Sequence, residues 1–190
     1  MPVCHSFSAY ACKDTTFLNF VKMKNKKNNI TMNRIEGNAG VKLLECTNPK
    51  KDKWRIRWDI QEQDNGNVNY MEYEFGHRPS SNEIKSIVVE WVNNKTDNII
   101  LSSFEWNGMK VWLSQENQFN YKVAYDLAAQ TLGASLPVTF KFGTDDKPCY
   151  HTFNSLEELK DFYTKSIKHI QTALEECWKA KDSFNPDLYQ

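Results

Sequence analysis

The chain has 190 residues, 40% hydrophobic and 13% aromatic, with 24 Lys and Arg against 24 Asp and Glu. This is enough to bury a core in one domain or two small ones, and the balanced charge leaves no whole-molecule field to draw in nucleic acid or an anionic membrane. No apolar run approaches the roughly 20 residues that span a bilayer, the N-terminus lacks a signal-peptide pattern, and Cys4, Cys12, Cys46, Cys149 and Cys177 are odd in number and scattered, so cytoplasmic synthesis and reduced thiols are expected.

Residues 1–31 read as a flexible tail in which Lys22, Lys24, Lys26 and Lys27 interleave with Asn25, Asn28 and Asn29. A solvated linker is favoured over a nucleic-acid-binding arm, because the run is short and lacks interleaved aromatics. Met32-Asn33-Arg34-Ile35 reads as an alternative start of translation.

Residues 32–98 read as a β-hairpin followed by a helix. Trp54, Ile56, Trp58 and Ile60 alternate with Lys53, Arg55, Arg57 and Asp59, the period of a strand with one apolar and one charged face. A polar turn at Gln63 to Asn67 leads into a second strand through Val68, Tyr70, Tyr73 and Phe75, where a slip from even to odd positions near Met71 predicts a bulge. Ser80 with Glu83 forms a capping box opening a helix whose stripe is Ile84, Ile87, Val88, Trp91 and Val92.

Residues 99–190 read as hairpin, helix, hairpin, helix. Ile99, Ile100 and Leu101 lead into a hairpin closed by Asn107-Gly108, both tolerant of the positive φ that a type I′ turn demands. The helix from about Gln115 to Leu132 carries Phe119, Val123, Leu127 and Ala128 toward a core, with Gly133 as a left-handed C-cap. Val138 to Phe142 and Tyr150 to Phe153 form the last hairpin, turning through Gly143 to Pro148. Ser155 and Glu158 predict a second capping box, opening a long amphipathic helix that runs through Leu159, Phe162, Tyr163, Ile167, Ile170, Leu174, Cys177 and Trp178. The fold class is therefore α+β: repeated β-hairpin and α-helix units, antiparallel strands and three main helices.

Each chemical candidate has a sufficient structural reading. Cys149 and His151 share one strand face, as a nucleophile or ligand pair would, but no third group is indicated and zinc needs four. Cys4, His5 and Cys12 lack Cys-x-x-Cys spacing. His169 lies in a helix with no evident partner. Asp145-Asp146 fits a turn, and Glu157-Glu158 a helix's first turn, where negative charge suits the macrodipole. Gly37-Asn38-Ala39-Gly40 is too short for a phosphate loop. Trp54 and Trp58 with Arg55 and Arg57 offer a stacking platform for single strands or sugars, against which stands plain burial beneath a helix. No catalytic, cofactor-binding or metal residue is assigned.

The hairpin Trp106-Asn107-Gly108-Met109, the helix Ala124 to Gly133, the strand Val138 to Phe142, the turn Asp145-Asp146, the run Phe153 to Leu159, and the closing His169-Ile170-Gln171 and Trp178 to Asp182 carry a resemblance. Together, Phe104 to Phe184 resembles a family of uncharacterised phage and prophage domains typically found at the C-terminal end of tail-fibre or tail-fibre-assembly proteins. Phe104 to Tyr121 is also similar to proteins of prophages of gut Bacteroides-type bacteria. A β/α region, Val41 to Asn94, stands where a fibre-like shaft would precede such a domain. The resemblance implies a non-enzymatic tail or virion-associated structural or assembly protein that uses no cofactor. Its partners would be other phage tail or virion proteins, with homo-oligomerisation as a further option and neither membrane nor nucleic acid as partner. It would reside in the host cytoplasm during assembly and in the virion tail. A small phage-encoded effector or inhibitor of a host protein is the alternative.

Overall fold

Alternation from Lys53 onward produces the longest strand of an antiparallel sheet, which β1 (Asn33–Asn38), β2 (Leu44–Asn48), β3 (Lys53–Glu62) and β4 (Asn67–Phe75) build in the order β1-β4-β3-β2. The computed structural model describes residues 32–64 and 66–190, and Met32–Gln190 form one compact unit. The tail reading and its candidates Cys4, His5 and Cys12 lie outside the described residues.

The bulge expected near Met71 lies instead on the neighbouring strand. β4 keeps unbroken register with β1 from Asn33↔Glu72 to Asn38↔Asn67, whereas the β3–β4 register shifts between Trp58 and Gln61. Asp59 adopts φ +50° there, and Ile60 beyond the extra residue is partly exposed. The even-to-odd slip in β4 has a different cause: Val68 and Tyr70 are buried on one face, Met71 and Phe75 on the other.

Those two faces differ in chemistry. One carries Leu44, Ile56, Trp58 and Met71, with Trp58 edge-to-face against Trp91 of α1 (Ser81–Ser102) at 6.1 Å. The other holds a lattice of ions. Arg57, only 7% exposed, donates to Glu72 at 2.9 Å, Glu45 at 2.7 Å and the Lys42 carbonyl at 2.9 Å, and lies over the Tyr70 ring. Arg55 reaches Glu72 and Glu74, and Lys53 pairs with Glu74.

α1 begins with the expected capping box, complete in both directions, and buries Ile84, Ile87, Val88 and Val92. It also runs further than expected: Ile99, Ile100 and Leu101 form its last turns rather than an approach to the next strand. The hairpin β5 (Glu105–Trp106) and β6 (Met109–Lys110) follows, with Asn107 at φ +49° and Gly108 at +74°, as a type I′ turn requires. Then come α2 (Gln115–Gln130), the hairpin β7 (Val138–Gly143) and β8 (Pro148–Phe153), and α3 (Leu156–Asp182). The protein is α+β, and the β3–β4, β5–β6 and β7–β8 hairpins each lead into a helix.

The end of α2 departs by one residue from expectation. Leu132, not Gly133, takes the first left-handed position, at φ +52°. Its N–H bonds Ala129 O, and Gly133 N–H bonds Ala128 O at 2.8 Å, the paired bonds of a Schellman motif. Ser155 caps α3 through Glu158 N–H, but the Glu158 carboxylate does not return to the cap; it bonds His151 instead. Half a capping box forms, with the Glu158 carboxylate taken by His151 of the preceding strand β8.

Candidate functional site

Alternation in β8 places Cys149, His151 and Phe153 on the face that meets Phe142, Phe140 and Val138 of β7. That face packs on a core of Phe104, Trp106, Val111, Leu113, Tyr121, Leu159 and Phe162. At its centre Trp106 makes ring contacts with Phe142, His151, Phe153 and Phe162. A buried indole still needs an acceptor, and Trp106 Nε1 donates to Asp161 Oδ2 at 3.0 Å. Lys165 donates to the same oxygen at 2.8 Å. Lys165 first, and Trp106 after it, hold the Asp161 carboxyl below its ordinary range.

The sequence candidates are distributed through this framework rather than gathered. His151 Nε2 lies 2.9 Å from Glu158 Oε1, with its ring wedged edge-on between Trp106 and Phe153. Cys149 sits half-buried opposite Phe142. His169 bonds the Ile99 carbonyl through Nε2 at 3.0 Å and lies over Phe104, so it clasps α3 to the end of α1. Because a carbonyl only accepts, Nε2 carries the proton. Asp145 and Asp146 are exposed in the β7–β8 turn, and Glu157 lies in the first turn of α3. Among the described residues, no group of three or more His, Cys, Asp and Glu side chains is arranged to hold a metal ion.

The stacking platform is not assembled either. Trp54 donates to Asp52 at 2.8 Å under the Arg78 guanidinium, and Trp58 packs on Trp91, while Arg55 and Arg57 spend their charge on carboxylates of the opposite face. Beside Trp58 runs an apolar groove of about 400 Å³. Ile60 of β3, Val88 and Trp91 of α1, and Phe184 and Leu188 beyond α3 line it. Tyr189 closes its floor by donating to the Arg57 carbonyl at 3.0 Å, and burial pushes that phenol up to about 12.

The largest correction concerns α2. Phe119, Val123 and Leu127, expected in the core, all face solvent, and Phe119 is 66% exposed. The buried side belongs to Tyr121 and Ala128, with Tyr125 stacked on Tyr163 of α3 at 4.7 Å. Tyr121 fills the space among Phe140, Phe142 and Phe162, and burial lifts its phenol well above the ordinary value. α2 is thus apolar on two opposite sides, one of them left exposed among the described residues. Spacing alone could have found both stripes, since each repeats at helical period. Trp178, the last residue on the helical-period stripe of α3, is likewise mostly exposed.

Fold and surface define a small α+β protein of hairpin–helix units with an exposed apolar stripe on its middle helix. The chain matches no family model, no curated protein and no solved structure. Among the described residues, no helix is long and apolar enough to cross a membrane.

Proposed function

We propose that the chain is a non-enzymatic structural or assembly protein of a phage or prophage particle, working by protein contacts. The outward face of α2 carries this reading. Three large apolar side chains aligned on one exposed helix face lose hydration free energy at roughly 25 cal/mol per Å² until another surface covers them. A helix that has already buried one full stripe has no folding need for a second. The resemblance of Phe104 to Phe184 to tail-associated domains supplies the lineage, with action in the host cytoplasm during assembly and in the virion tail.

The test is co-purification of the whole chain with the products of neighbouring tail genes, comparing wild type with Val123→Glu. Retention of a tail protein by wild type and its loss in the variant supports the reading. Failure to retain any tail protein contradicts the phage assignment.

A further inference from the structure

We propose that the outward face of α2 is a self-association surface on which a second copy of this chain lays its own α2, running antiparallel. The inference rests on the contact-protein reading above and gives that surface a definite occupant.

The outward face of α2 is symmetric within the helix's sixteen residues. At about 100° per residue, Glu116, Phe119, Val123, Leu127 and Gln130 fall along one line of the helix, and all five are exposed. The line is its own reverse about Val123: Phe119 and Leu127 are each four residues away, Glu116 and Gln130 each seven. A two-fold axis at Val123, normal to the plane of the two helices, therefore seats Phe119 on Leu127 of the second copy, Val123 on Val123, and Glu116 beside Gln130. Apolar groups meet in the centre and hydrogen-bonding groups at the ends, the pattern of a specific interface.

Charge fixes the direction. Lys122 and Asp126 lie on the same flank of the stripe and pair with each other, i to i+4, on the surface of the monomer, where such a pair is worth little. The same axis keeps like flanks together while reversing height. It brings Lys122 opposite Asp126 of the second copy, within two residues' rise of about 3 Å, and does so twice. A parallel pair would instead set Glu116 beside Glu116. A helix of this length, about 24 Å, forms a contact below the roughly 1,200 Å² of standard interfaces, so the dimer is weak and shows its concentration dependence in the micromolar range or above.

Sedimentation velocity of the full chain, from about 1 μM to about 1 mM, reads this out. Wild type should pass from monomer to dimer. Val123→Glu and Phe119→Gln should weaken association at least tenfold while melting like wild type. Lys122→Glu alone should weaken it several-fold, and Lys122→Glu combined with Asp126→Lys should restore it. A wild type monomeric at every concentration, or a dimer indifferent to Val123→Glu and Phe119→Gln, overturns the proposal. A dimer sensitive to Val123→Glu but blind to the charge exchange overturns the antiparallel arrangement. A monomer that still captures a tail protein through Val123 defeats self-association and leaves the contact reading standing; loss of both defeats both.

Discussion

Phe119 and Tyr121 are two residues apart on α2 and leave it on opposite sides, the first 66% exposed and the second 3%. The expected consequence is a sharp asymmetry in stability. Tyr121→Ala should cost about 3–4 kcal/mol, since it empties a space among three phenylalanine rings, whereas Phe119→Ala should fall within about 0.5 kcal/mol. Urea unfolding of both variants checks this, and equal losses would mean that α2 presents a different face to the core.

Arg57 predicts a second large effect. Removing it leaves Glu72 facing the sheet without its closest cation, with Glu72 only 11% exposed at its side chain. Arg57→Ala should destabilise by about 3 kcal/mol, because breaking a buried pair costs far more than the pair contributes. Arg57→Lys should recover only part of the loss, since an ammonium cannot reproduce the planar fork that reaches Glu45, Glu72 and the Lys42 carbonyl together. Chemical denaturation of the two variants measures both.

Much of this framework is legible in the sequence. Asn107-Gly108 demanded its turn, Ser80 with Glu83 demanded its helix start, and the alternation of Trp54, Ile56 and Trp58 demanded a strand. The α2 core assignment was not legible, because Phe119-Val123-Leu127 and Tyr121-Tyr125-Ala128 repeat at the same period. Tertiary packing decides between them: Phe140 and Phe142 of the β7–β8 hairpin and Phe162 and Tyr163 of α3 take the two tyrosine rings. The burial of Arg57 is not legible for a related reason: period-two alternation marks which residues share a face, not whether that face will be covered. Glu158 shows a third limit, since the local cap competes with His151, a partner on another element. The candidate site suffered most from these limits. The chemical residues found by type sit in structural bonds, and the exposed stripe Phe119-Val123-Leu127 has the spacing of a core stripe.

The start of α1 carries a pH signature. Hydrogen bonds from the Ser80 backbone and side chain, with His77 behind them, lower Glu83 from 4.5 to about 2. A carboxyl depressed on folding contributes stability that is fully present above its unfolded pKa and lost as pH falls through the folded one. The stability gap between wild type and Glu83→Gln should therefore be constant above pH 4.5 and close as pH falls toward 2. Thermal melts across that range should show it; a gap unchanged at the acid end would contradict the capping-box account.

Leu132 is a site where the chain can be improved. Its side chain is 90% exposed and its backbone left-handed at φ +52°, a conformation costing an L-residue with a branched side chain about 1 kcal/mol or more. Leu132→Asn keeps the Schellman bonds, tolerates the dihedral and loses almost no burial. It should raise stability by about 0.5–1 kcal/mol, visible as an upward shift in melting temperature.

The most direct test of the central claim, that a second copy of the chain covers the outward side of α2, is a photo-crosslinking residue substituted at Val123, with the same residue at the exposed Tyr150 as control. Irradiation of the purified chain should give a product of twice the monomer mass at position 123 and little at 150. Equal yields at the two positions, or none at 123, would contradict the account.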